Sequence, residues 1–272
     1  MRLDLHIHTT ASDGAWAPEK VVEAAARGGL DVIAIADHDT TAGVRAAQET
    51  GAATNVQVIP ALEVSSTWER REIHILGYFV DPDTPSLAAH EARALTLRED
   101  RMRQMVERLV AQGVEVTYED VEAAAGPDRV NIGRPHLAKA LLAGGQVSSV
   151  LEAFHTLIGD HHEAFVPTAL LTPDEAVDLV RDSGGVPVWA HPPGDLLDPL
   201  IPGLVRRGLG GLEVYRPSHS KNDVLRLESI CRSTGMVMTG GSDWHTPDSG
   251  VVLGSFFVTG DEVDKFLSRG GL

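Results

Sequence analysis

Twelve histidines in a chain with a single cysteine, Cys231, set the chemistry to look for. They stand at positions 6, 8, 38, 74, 90, 136, 155, 161, 162, 191, 219 and 245. Imidazole together with carboxylate, without thiolate, is a donor set for hard to borderline metal ions. In His6-Ile7-His8 the imidazoles lie at i and i+2, so on an extended strand they point the same way and can bind one ion together. Asp243-Trp244-His245 repeats that spacing with an oxygen and a nitrogen. Asp13, His38, Glu63, His74 and His191 bring the candidates to nine, more than one tetrahedral or octahedral ion can use. The set suits two or three ions of the Mn, Fe or Zn type, with a carboxylate such as Glu63 bridging. His90, His155, His161 and His162 read as hydrogen-bonded or surface residues.

The elements that must position these side chains follow a parallel β-α-β rhythm, with short Val, Ile and Leu runs alternating with helical patterns. Strands are expected at Leu3–Ile7, Asp31–Ala36, Val56–Ala61, Glu72–Phe79, Val186–Ala190, Gly211–Tyr215, Met236–Gly240 and Ser255–Val258. The rhythm breaks over residues 82–164, where a long helix (Leu87–Gln112) and shorter helical pieces form an insertion. Residues 1–81 and 165–272 then make one α/β barrel, with the insertion as a cap over the substrate. The candidate ligands fall at or just beyond strand ends, which in a parallel barrel share the face where active sites are built.

A length of 272 residues suffices for one such barrel, and 43% apolar with 23% charged residues is ordinary for a globular domain. The net charge of −16 repels duplex DNA and anionic membranes, so a polyanionic substrate must meet metal ions or a local basic patch. One cysteine excludes a disulfide framework and a thiolate zinc site. The chain shows no apolar run near the roughly 18 residues of a membrane span and opens on a charged strand pattern instead of a signal peptide, so a cytoplasmic protein is expected.

His6-Ile7-His8-Thr9-Thr10-Ala11-Ser12-Asp13-Gly14, Ala36-Asp37-His38-Asp39, Glu63, His74, His191 and Gly241-Ser242-Asp243-Trp244-His245 together resemble the motifs of the PHP (polymerase and histidinol phosphatase) metal-dependent phosphoesterases. Gly133-Arg134-Pro135-His136-Leu137-Ala138 is similar to a segment of the bacterial branch that hydrolyses nucleoside 3′,5′-bisphosphates and trims short RNA from its 5′ end. The resemblance implies a distorted TIM-like (β/α)7 barrel with three divalent ions. His6, His8, Glu63 and Asp243 would hold one, Glu63, His74 and His191 a second, and Asp13, His38 and His245 a third. Some relatives carry His where this chain has Asp13; the carboxylate favours Mn or Fe over Zn. The implied enzyme is a phosphoric ester hydrolase that removes the 3′-phosphate of a nucleoside bisphosphate, or acts on a short RNA end, through a metal-bridged hydroxide.

The substrate's other phosphate calls for arginines. The long helix carries Arg93, Arg98, Arg101, Arg103 and Arg108 beside an apolar stripe, giving it a basic margin. Arg101 and Arg134 are the expected bidentate hold on phosphate, with His136 in support. Asp37 and Asp39 are expected to orient ligand imidazoles, and His219 to serve as general acid or phosphate donor. A histidinol-phosphate phosphatase, an amidohydrolase-type C–N hydrolase and a non-catalytic metal-stabilised PHP module are the competing readings.

Overall fold

The computed structural model describes residues 1–127, 129–168, 170–247 and 251–272. Eight strands form one sheet in the order β7-β6-β5-β4-β3-β2-β1-β8. They are β1 (Arg2–Ile7), β2 (Val32–Ile35), β3 (Gln57–Trp68), β4 (Arg71–Tyr78), β5 (Val186–Trp189), β6 (Gly211–Tyr215), β7 (Val237–Gly240) and a two-residue β8 (Val258–Thr259). The sheet nearly closes into a barrel between β1 and the segment after β7. There the His8 N–H donates to Trp244 O at 2.9 Å and the Trp244 N–H to His6 O at 3.3 Å. Only glycine permits this approach, since a Cβ on Gly241 would sit 2.4 Å from that of His6.

Among the departures from a regular parallel barrel, two near β1 and β3 serve the site. First, β3 and β4 form an antiparallel hairpin, with Ser65 opposite His74. Its turn is Glu69-Arg70, both at positive φ (46° and 69°), the pairing that a two-residue hairpin requires. The expected β3 ends at Ala61, but the strand runs to Trp68, so Glu63 lies within it and the reversal returns His74 to the same end of the barrel. Second, the β1–β2 register shifts between Asp4 and Ile7. Leu3 and Leu5 pack with Tyr78 and Phe266, whereas Ile7 packs with Val21 and Val22 of α1 (Pro18–Arg27). Such a bulge re-aims the residues beyond it, here His6 and His8.

Helices α2 (Val44–Thr54), α7 (Pro173–Asp182), α8 (Leu197–Arg207) and α9 (Lys221–Thr234) connect the strands, and α10 (Asp264–Gly270) brings Phe266 into one core cluster. Thr172 with Glu175 and Ser220 with Asp223 form capping boxes that start α7 and α9. The insertion comprises α3 (Pro85–Ala111), α4 (Tyr118–Ala125), α5 (Arg134–Ala143) and α6 (Val150–Ala153), the last running into a π turn over Phe154–Ile158. Met102, Met105, Leu109, Leu137, Leu141 and Ile158 build a core of its own, while Leu87 at the start of α3 belongs to a barrel cluster. The Arg98–Arg101 margin is therefore buried between insertion and barrel, not solvated. Among the described residues, no helix is long and apolar enough to cross a membrane.

Candidate active site

All nine candidate ligands meet at one end of the barrel, around Glu63. Its Oε1 lies 3.0 Å from His74 Nδ1 and 2.9 Å from His191 Nε2. Its Oε2 lies 3.3 Å from the Nε2 of both His6 and His8, and 3.2 Å from His38 Nδ1. Asp243 Oδ1 is 3.4 Å from His6 Nε2 and 3.3 Å from His8 Nε2. Asp13 sits on the far side, 3.4 Å from His245 Nε2 and 3.7 Å from His38 Nε2. Three groups have donor atoms within 4.8 Å of one another: His6, His8, Glu63 and Asp243; His8, Asp13, His38 and His245; and His38, Glu63 and His74. His191 enters through its contact with Glu63, and His8 and His38 each border two groups.

Whether these residues suit divalent ions is tested by their unmet bonding. His6 Nε2, both ring nitrogens of His8 and His38 Nδ1 are buried without a hydrogen-bond partner. Buried polar atoms are normally satisfied, and lone pairs converging with three carboxylates are satisfied by cations. Burial opposes charge on Glu63, yet the imidazoles of His74, His38 and His6 hold its carboxyl well below the usual range. Burial likewise opposes charge on Asp13 and Asp243, and neighbouring histidines hold both well below it. Burial pushes His38 down to about 3, so its ring is neutral at physiological pH, as a metal ligand must be. The donor set fits a cluster of hard to borderline ions. Backbone strain accompanies it: His191 and Asp243 adopt positive φ (32° and 54°), as does Asp39 (53°).

A cavity of about 330 Å³ opens on this cluster, lined on one side by Asp13, His38, His74, Asp243 and His245. Arg98, Arg101, Arg134 and Phe154 line the other. Arg101 and Arg134 grip one partly buried carboxylate, Glu72, at 2.6 and 2.8 Å. Arg134 also reaches Asp160 at 2.6 Å, and Arg101 Nε donates to Val166 O at 2.6 Å. Burial lowers the Arg101 guanidinium to about 10, which leaves it charged at neutral pH. Burial opposes charge on Glu72, and Arg101 and Arg134 overcome it, holding the carboxyl well below its usual range.

Three expectations are corrected. Asp37 accepts from Thr9 N–H, Thr9 Oγ1 and Ser12 Oγ at 2.6–2.8 Å, and so holds the loop after β1, not an imidazole of the cluster. Asp39 pairs with Arg98 (2.6 Å) and His90 (3.0 Å) from α3, tying the insertion to the end of β2. His136 lies off the cavity lining: its buried Nδ1 accepts the Gly133 N–H at 3.0 Å and caps α5. His219 also lies outside that lining, and its Nδ1 donates to Val214 O at 2.8 Å. The imidazole-orienting part falls instead to Glu213, whose Oε1 accepts from His6 Nδ1 at 2.8 Å. Nothing in its local spacing marks it; only inward alternation on β6 could have done so. Arg216, three residues before His219, pairs with Asp243 at 2.6 Å, and Asn131 of the insertion donates to His38 O at 2.8 Å.

The PHP domain family matches residues 4–143, with the candidate ligands His6, His8, Asp13, His38, Glu63 and His74 inside the match. The chain belongs to the PHP domain family. It is 38% identical to a phosphoribosyl 1,2-cyclic phosphate 1,2-diphosphodiesterase of Eggerthella lenta, over 89% of this chain and 93% of that protein. It is 32% identical to the 5′-3′ exoribonuclease Rnm of Escherichia coli (92% and 87%) and 30% identical to a 3′,5′-nucleoside bisphosphate phosphatase of Chromobacterium violaceum (91% and 88%). In structure it resembles a candidate metal-dependent phosphoesterase of Bifidobacterium adolescentis, with a TM-score of 0.88 at 32% identity over 98% of this chain and 96% of that one. This PHP domain is a metal-dependent phosphoesterase on a TIM-like barrel.

Proposed function

We propose that this phosphoesterase removes a ribose-borne phosphate from a small substrate that carries a second phosphate, foremost the 3′-phosphate of a nucleoside 3′,5′-bisphosphate, and that it also accepts the 5′ end of short RNA. The observation that carries this reading is the single cavity joining the histidine-carboxylate cluster to Arg98, Arg101 and Arg134. One wall suits the reacting phosphate and the opposite wall a second anion.

Three divalent ions fit the cluster best, manganese foremost, with iron or zinc as alternatives. His6, His8, Glu63 and Asp243 would hold one, Glu63, His74 and His191 a second, and Asp13, His38 and His245 a third. Such ions, when bound, lower the pKa of water and neutralise charge on phosphoryl oxygens. The chain's own residues do the rest. Arg101 and Arg134 hold the distal phosphate through guanidinium donors that Glu72 fixes in place. Phe154 offers an apolar wall for a nucleobase. Residues 82–164 act as the cap that delivers these groups, latched to the barrel by Arg98–Asp39 and by Asn131–His38. A net charge of −16 with a cavity of about 330 Å³ suits a small nucleotide or a single-stranded end and disfavours duplex DNA.

The 38% identity to the Eggerthella lenta enzyme favours a second reading, in which a phosphoribosyl cyclic phosphate occupies the same two walls. Product analysis with manganese-loaded protein separates the two. The panel comprises a nucleoside 3′,5′-bisphosphate, phosphoribosyl 1,2-cyclic phosphate, a 5′-phosphorylated RNA trimer, histidinol phosphate and p-nitrophenyl phosphate. The first reading expects the bisphosphate to give the highest kcat/KM, at least tenfold above the simple monoester. A panel led by histidinol phosphate, or one with no preference for a second phosphate, refutes it.

A further inference from the structure

Glu213 belongs to none of the ligand groups, yet it bonds directly to two of the nine candidates, His6 and His191. It is fully buried near the end of β6, where the β6–β7 register shifts between Glu213 and Tyr215. Its Oε1 accepts from His6 Nδ1 at 2.8 Å, and its Oε2 accepts the backbone N–H of His191 at 2.7 Å. Arg216 Nε approaches the same Oε2 at 3.5 Å, and the other end of that guanidinium binds Asp243 Oδ2 at 2.6 Å. We propose that Glu213 is a positioning residue for the metal cluster, fixing the His6 ring, the strained His191 backbone and, through Arg216, the Asp243 carboxylate from one point.

Both Glu213 oxygens are committed, so it is no ligand itself. Accepting at His6 Nδ1 leaves the unpartnered Nε2 facing Glu63 and Asp243, 3.3 and 3.4 Å away. A carboxylate behind a ligand imidazole sets its tautomer and raises its basicity, and losing it typically costs ten- to a hundredfold in metal affinity. His191 is held at φ 32° by the same group, a conformation that its own side chain does not favour. One carboxylate thus couples ligands from β1, β5 and the end of β7. A glutamine of equal size cannot replace it: its one carbonyl oxygen serves either the His6 ring or the His191 N–H, and presents an NH2 donor to the other.

The inference rests on the reading that the cluster holds divalent ions, and the test separates the two. Chelator-stripped wild type and Glu213→Gln are titrated with Mn2+ in competition with a fluorescent chelator, and the unfolding temperature of each stripped protein is recorded. The expected result is a Kd raised about ten- to a hundredfold in the variant, with the stripped proteins unfolding within a few degrees of each other. A folded variant whose Kd lies within twofold of wild type overturns the role of Glu213, whatever its unfolding temperature. A wild type that takes up no Mn2+ overturns the reading of the cluster instead. Should the variant not fold, nitrogen-15 spectra of zinc-loaded wild type decide the matter: the His6 ring proton is expected on Nδ1 and protected from exchange, and a proton on Nε2 refutes the proposal.

Discussion

Replacing Arg134 by alanine is the sharpest probe of the second phosphate site. Its guanidinium donates to Glu72 Oε2 at 2.8 Å and Asp160 Oδ1 at 2.6 Å, and it borders the cavity that contains the cluster. A charge-assisted hydrogen bond to phosphate contributes about 1.5–3 kcal/mol, or roughly ten- to a hundredfold in kcat/KM. The upper part of that range is expected, because removal leaves Glu72 and Asp160 facing Arg101 alone and turns that wall from near neutral to net negative. Arg134→Lys should recover only part of the loss, since an ammonium keeps the charge but not the planar fork. Arg101→Ala is a poorer probe: Arg101 is almost wholly buried and also binds Val166 O, so breaking its pair with Glu72 destabilises the fold, by about 3 kcal/mol if it behaves as buried pairs do. The assay is kcat/KM for a nucleoside 3′,5′-bisphosphate beside p-nitrophenyl phosphate, which has no second phosphate to lose. A parallel decline for both substrates in Arg134→Ala refutes the reasoning, for it places the arginine on the reacting phosphate or in the scaffold.

Protein purified without chelator should carry about three Mn, Fe or Zn ions per chain by elemental analysis; one ion, with activity fully restored by one equivalent, sinks the trinuclear reading. Glu63→Ala should lose catalysis by orders of magnitude while remaining folded, because Glu63 faces five imidazoles, whereas His136→Ala should change kcat less than tenfold and act mainly on stability. Equal losses in kcat would contradict that division. Burial lowers His136 from 6.5 to about 4, so in the window between those values the unfolded chain binds the proton and the folded chain does not. Its contribution, about 3 kcal/mol, is therefore present above pH 6.5 and lost as pH falls toward 4. Denaturant unfolding at pH 7 and pH 4.5 should show the gap between wild type and His136→Asn closing at the lower pH, and a pH-independent gap refutes it.

The ligand motifs were legible because their chemistry is local. His6-x-His8 and Asp243-x-His245 announce themselves by spacing, and strand ends sort the remaining candidates onto one face of the barrel. What sequence did not show was long-range pairing. Glu72 reads as an ordinary first residue of a strand, but the left-handed Glu69-Arg70 turn folds it back beneath two arginines from the cap. Asp39 stands beside His38 and is expected to orient a cluster imidazole, yet Arg98, 59 residues away, takes its Oδ2 and His90 its Oδ1. Glu213 has no motif at all, and its role exists only once β6 lies between β5 and β7. Parallel β-α-β order also suggested a uniform barrel, which hid the hairpin that returns His74 to the site.

The electrostatics of the chain then become coherent. A surface of net charge −16 repels polyanions at long range, although at physiological salt that repulsion fades beyond roughly 8 Å. Inside the cavity the balance is set residue by residue. Arg98 is neutralised by Asp39, and Arg101 and Arg134 share Glu72, so these cations are held in place by carboxylates instead of floating on flexible stems. That pairing weakens their pull on any single anion but removes the entropic cost of ordering them when a phosphate arrives. On the opposite wall Glu63, Asp13 and Asp243 stay ionised because surrounding imidazoles, with His245 raised to about 10, carry compensating positive charge. Divalent ions exchange those protons for a larger positive charge on the same ligands, so affinity for phosphate should rise with metal loading.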